Sequence, residues 1–170
     1  MNLMKHILSA ILAIAFTQPA FAEKQAPETE GKEVLRRFLG TWDTNITNKG
    51  NGETFRTTGK RKWSKQGGVV IFDELDLSTN KEQHFLLTYD PAAKVYRGSF
   101  LNHAVVGTYL GTWDEKTATM TWEGSDSFGL RHRGTERFID KDNVEWSLAF
   151  TDSSGKVVLE LDAKSTRKKK

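Results

Sequence analysis

The stretch FLGTWD, Phe38 to Asp43, returns almost unchanged as YLGTWD, Tyr109 to Asp114, and the surroundings of the two copies decide the fold. Ahead of the first copy, KEVLRRFLG sets Val34, Leu35, Phe38 and Leu39 on one side of a short helix over 32–39, which Gly40 stops. From Thr41 onward the pattern changes to period two, the signature of half-buried strands. Ten such runs follow, at 41–48, 53–63, 69–77, 82–89, 95–101, 104–113, 118–124, 129–138, 143–151 and 156–165. Turn chemistry such as KGNG, KQGG, DPAAK and DSSG separates them. Connections this short leave no room for the crossover helix of parallel strands, so neighbours pair antiparallel in chain order. The fold class expected is all-β: an antiparallel up-and-down barrel of about ten strands with one short N-terminal helix, closed so that no edge stays free. A two-sheet sandwich, the main competitor, usually needs some longer links.

Strand direction then explains the repeat. If the first strand leaves the base of the barrel, odd strands run away from the base and even strands return to it. Trp42 opens strand one, while Trp63 and Trp113 close strands two and six, so all three belong at the base. Trp146, early in strand nine, is expected there too, under the helix. Gly40 and Gly111 each stand two residues before a GTW tryptophan, where backbones approach closely beside a broad aromatic. The same count brings the end of strand ten beside the start of strand one, so the Arg167 guanidinium is expected to stack on Trp42. Alternation turns Met120 and Trp122 inward, with Trp146, Leu148 and Phe150, and with Val157, Leu159 and Leu161. Arg131, Arg133 and Arg137 share one face, which must be solvent, so His132, Gly134, Glu136 and Phe138 face in.

Gly40-Thr41-Trp42 after a short helix, with an arginine just past the last strand, resembles the G-x-W and C-terminal arginine of lipocalins and the wider calycin group. More closely, the chain resembles an uncharacterised bacterial family of secreted lipocalin-like proteins, a domain of unknown function. The stretches that carry the likeness are Gly40-Thr41-Trp42, Trp63 to Gly68, Tyr89-Asp90, Gly111 to Asp114, Ile139 to Asp142 with Trp146, and Ser165 to Lys169. The resemblance implies a calycin-type barrel; it supplies no activity and no catalytic residues.

The N-terminus has the parts of a secretory signal peptide: Lys5, the apolar run Ile7 to Phe16, and the small-x-small site Ala20-Phe21-Ala22. That run is about ten residues, short of the roughly 20 that span a bilayer. Cleavage after Ala22 is expected, giving a leader at 1–22, a polar linker at 23–31 and a single domain at 32–170, with the periplasm or the exterior as compartment. No transmembrane segment is read further along. The chain has no cysteine, so thiolate metal sites, thiol nucleophiles and disulfides are excluded and a core must supply the stability. Of its 25 Lys and Arg, Lys5 lies in the leader and five lie between Lys164 and Lys170; the remaining 19 face 22 Asp and Glu. The body is therefore slightly acidic with a basic tail, which does not read as a nucleic-acid-binding protein.

With the base plugged, the opposite end is the mouth, and the histidines beyond the leader, His84, His103 and His132, fall near it. A ligand site is expected from His103, His132, Trp122, Phe100, Phe128 and Arg97: aromatic walls with a few polar groups, the usual make-up of a small-molecule pocket. An inward Glu136 needs a partner, and Arg97 and Tyr109 are the candidates. No catalytic, phosphate-binding, calcium or metal-ligating motif is present, and no cofactor is assigned. The leading expectation is a barrel that binds a small, largely apolar molecule. The alternatives are a filled barrel acting through its surface, an enzyme using His132 and Glu136, and a haem binder with His132 as ligand.

Overall fold

Turns of two to five residues leave each strand no partner but its neighbours, and the observed pairing follows from that. In the computed structural model, which describes residues 28–169, helix α1 (Glu28–Phe38) precedes ten strands. They are β1 (Gly40–Asn48), β2 (Thr54–Trp63), β3 (Val69–Asp76), β4 (Lys81–Asp90), β5 (Val95–Asn102), β6 (Val105–Asp114), β7 (Thr119–Asp126), β8 (Arg131–Phe138), β9 (Asn143–Thr151) and β10 (Val157–Arg167). All pair antiparallel in chain order, and β1 closes on β10 with Trp42 opposite Arg167 and Asn48 opposite Leu161. The sheet is a closed barrel. The leader read at 1–22 and the first part of the linker lie outside the described residues. The helix takes in residues 28–31, four residues earlier than the apolar spacing indicates.

Alternation along each strand sorts the interior into layers. The lowest layer contains Trp42, Val70, Met120, Phe138 and Val144, all buried. Helix α1 closes this end with Val34, Leu35 and Phe38, while Glu33, Arg36 and Arg37 face solvent. Phe38 is wholly buried and meets Phe138 edge-on, with ring centroids 5.1 Å apart. Two side chains bind the last carbonyls of the helix: Trp42 Nε1 donates to Phe38 O at 2.9 Å, and Arg167 Nη2 donates to Arg37 O at 2.9 Å. Arg167 also donates from Nε and Nη2 to Lys141 O at 3.0 and 2.8 Å, and its Cζ stands 4.2 Å from the Trp42 ring centroid. The expected stacking of Arg167 on Trp42 is present. Trp63 and Trp113 pack against the same core, and Arg37 lies over Trp113 at 5.1 Å.

Three placements differ from the sequence reading. Trp146 sits opposite Glu136 and Ala163, in the middle of the barrel rather than at its floor. Val157 is 50% exposed, because the register between β10 and β9 shifts between Val157 and Leu159 and breaks the alternation there. Arg97 points outward, since its neighbours Tyr96 and Phe100 fill the interior, and it pairs with Asp90 at 2.8 Å.

Candidate functional site

Above the aromatic floor the side chains do not fill the barrel. A cavity of about 170 Å³ is bounded by Phe72, Phe85, Leu87, Tyr109, Trp122, Trp146 and Leu148, with Thr44, Arg61, Glu74 and Glu136 as its polar lining. Glycines make space for its largest walls. A Cβ on Gly111 would come within 2.3 Å of Trp122 Cζ3, so the indole occupies the space a side chain at that position of β6 would take. A Cβ on Gly98 would meet only ordinary contacts, the nearest 3.5 Å away at Tyr109 Cβ.

Arg61 is the central polar group. It is 6% exposed, and its Cζ lies 4.6 Å from the Phe72 ring centroid and 5.2 Å from that of Trp42. Nη2 donates to Glu74 Oε1 at 3.1 Å. Glu136 Oε1 is 3.6 Å from Nη1, close enough for charge attraction and too far for a hydrogen bond. Nε and Nη1 are buried and have no hydrogen-bond acceptor. Burial pushes the Glu136 carboxyl above its ordinary range; the charge of Arg61 and the Trp122 N–H oppose that shift without overcoming it. The partner of Glu136 is thus Arg61, not Arg97 or Tyr109.

Nearer the mouth, three residues form a buried chain. His132, 2% exposed, has Nε2 2.9 Å from Asp126 Oδ2 and Nδ1 2.9 Å from Tyr109 Oη. Burial disfavours the Asp126 charge, but the hydrogen bonds from His132 and from the backbone N–H groups of Leu130 and Phe128 hold its carboxyl below the usual range. The Asp126 carboxylate accepts from Nε2–H, and Nδ1 shares a second hydrogen bond with the Tyr109 hydroxyl. Burial, reinforced by the Asp126 charge, raises the Tyr109 phenol and keeps it protonated. Phe100 and Phe150 pack on His132 at 5.8 and 4.4 Å between ring centroids.

A family model described as protein of unknown function, DUF1579, matches residues 27–167. The chain belongs to the DUF1579 family. No curated protein matches it in sequence. Solved structures similar to this DUF1579 chain include Rv2717c from M. tuberculosis, at 14% identity and a TM-score of 0.65 over 85% of this chain and 99% of that one. Another is the S-type phycobiliprotein lyase CPES from Guillardia theta, at 12% identity and a TM-score of 0.52 over 82% and 93%. At these identities the likeness is one of fold, and the fold is the calycin-type barrel that the short motifs implied.

The DUF1579 barrel brings together part of the expected ligand set. Trp122 lines the cavity, and Phe100 and His132 stand in the aromatic cluster with the cavity-lining Tyr109. Arg97 is on the outer surface. His103, in the two-residue turn between β5 and β6, and Phe128, 69% exposed in the turn after β7, do not line the cavity. His132 is engaged at both ring nitrogens, so it offers no free nitrogen to a haem iron or to a substrate. Glu136 is separated from it by Gly134 on the same strand and pairs with Arg61 instead. Sequence reasoning missed Arg61, Glu74 and Asp126. The signal was present: counting back by two from inward Trp63 reaches Arg61, and counting forward by two from Trp122 reaches Gly124 and Asp126.

Proposed function

We propose that this DUF1579 barrel binds a small, largely apolar molecule in the middle of the barrel, and that it does so outside the cytoplasm. The observation that carries the binding reading is the cavity itself, walled by Phe72, Phe85, Trp122, Trp146 and Leu148 around a single buried guanidinium. Apolar walls favour a desolvated ligand, and the volume sets its size. A cavity of about 150 Å³ is enough for benzene, whereas drug-sized ligands occupy about 300–1,000 Å³. A space of about 170 Å³ therefore suits one substituted ring and is too small to enclose a lipid chain or a porphyrin. Export rests on the leader-like segment ending at Ala22.

Gly98→Val tests the binding reading, because Gly98 lines the cavity and a Cβ there meets only ordinary contacts. Calorimetry with benzamide as probe should show binding to the wild type and binding at least about tenfold weaker, a loss of about 1.4 kcal/mol, in the variant. The far-ultraviolet spectrum should be unchanged. Equal binding by the two proteins contradicts an interior site.

A further inference from the structure

We infer that the ligand of this cavity is a compact ring bearing a carboxylate, one oxygen of which is received by an unpaired N–H of Arg61. The inference rests on the interior binding site proposed above and adds the chemical class. Arg61 is a buried cation with two N–H-bearing atoms that meet no acceptor. Leaving a buried donor unpaired costs on the order of 1–3 kcal/mol, more when it is charged, and folded proteins leave few such groups. Both donors belong to a residue that lines the cavity, so an acceptor placed there removes part of the cost.

Both oxygens of the Glu74 carboxylate are already engaged. Glu74 Oε1 receives Arg61 Nη2 at 3.1 Å, and Glu74 Oε2 receives Gln83 Nε2 at 3.4 Å. A ligand amine would compete with these contacts, whereas a ligand oxygen meets donors that have none. Charge balance admits such an anion. The groups facing the cavity are Arg61 from β2, Glu74 from β3, Tyr109 from β6 and Glu136 from β8. Arg61 and Glu74 cancel, the Tyr109 phenol keeps its proton, and burial favours the protonated form of Glu136. A protonated Glu136 adds a further O–H donor beside Arg61, which suits an incoming anion. Trp42 and Phe72 lie against the guanidinium and fix its position, so little ordering remains to be done on binding.

Calorimetry of the full-length protein with benzoate, benzamide and benzylamine at neutral pH tests this. Benzoate is expected to bind roughly tenfold or more tightly than benzamide, with benzylamine weakest, as a charge-assisted contact adds to a shared ring contact. Arg61→Met/Glu74→Gln removes the cation and its paired carboxylate together, and should abolish the preference for benzoate while benzamide still binds. Should that variant fail to fold, the wild-type order of the three probes decides. Equal affinity for all three, or a preference for benzylamine, overturns the inference and leaves the interior site standing, provided Gly98→Val weakens binding. Failure of every probe to bind overturns the interior site itself.

Discussion

Arg167 reads in the chain as the start of a basic tail, yet its guanidinium is structural. It joins the last turn of α1 to Lys141 O in the β8–β9 turn and stacks on Trp42. Arg167→Ala should lower stability by about 2–3 kcal/mol, measured by urea denaturation, because two carbonyls lose a charged donor and the stacking is lost. Arg167→Lys should recover only part, since an ammonium cannot span both carbonyls from one plane. Glu136 is the opposite case, a group the fold tolerates at a cost. Its folded pKa lies above the ordinary 4.5, so the folded state binds the proton more tightly than the unfolded chain does. Its contribution is fully present below about 4.5 and is lost as pH rises through the folded value. Glu136→Gln should therefore gain melting temperature relative to wild type on going from pH 5 to pH 8; a difference that stays constant would remove the buried-carboxyl explanation. His132 and Glu136 were recognisably inward because Arg131, Arg133 and Arg137 mark the outer face of β8. Arg61 was hidden by the reverse situation. It sits among Arg56, Lys60 and Lys62, where a charge reads as solvent-facing and only the parity of Trp63 says otherwise.

The plug helix shows how packing overrides local preference. Its first turn, residues 28–31, has no apolar side chain to announce it, so spacing alone starts the helix at Lys32. Gly31 is nonetheless fixed by the barrel: a Cβ there would stand 2.1 Å from Tyr89 Cδ1. In an isolated helix Gly→Ala is favourable by about 1 kcal/mol. In this protein Gly31→Ala is expected to destabilise, with the helix lifted from Tyr89 and a lower midpoint in thermal unfolding followed by tryptophan fluorescence. An unchanged or raised midpoint would mean that α1 does not seat on β4. Strand existence was plain because every run is closed by strong turn residues, and the ten runs match the observed strands within two residues at each end. Face assignment was weaker wherever glycine interrupts the alternation. On β5 the inner residues are Tyr96, Gly98 and Phe100, and a glycine carries no hydrophobic signal to show that Arg97 must face out.

For the molecule as a whole, closure does two things at once. It removes the sheet edges, and it leaves a core in which a base sealed by α1 and Trp42 lies below an unfilled middle layer. Direction counting from the paired GTWD stretches predicts the sealed end. It says nothing of volume, which depends on which inward positions carry glycine and how Trp122 and Trp146 lie. The expected rim around His103 and Phe128 gives way to a site deeper in the barrel, because the aromatic cluster around His132 occupies the level above the cavity. Among the described residues no helix is long and apolar enough to cross a membrane. If the protein is exported as proposed, its mass after secretion should correspond to a chain beginning at Glu23; an uncleaved N-terminus would count against export. The decisive test is anomalous diffraction from crystals grown with 4-bromobenzoate. A bromine peak inside the barrel between Trp122 and Leu148, with the carboxylate directed at Arg61, is the predicted result. Bromine found only on the outer surface or beside the Phe128 turn, with indole rings filling the middle layer, would contradict it.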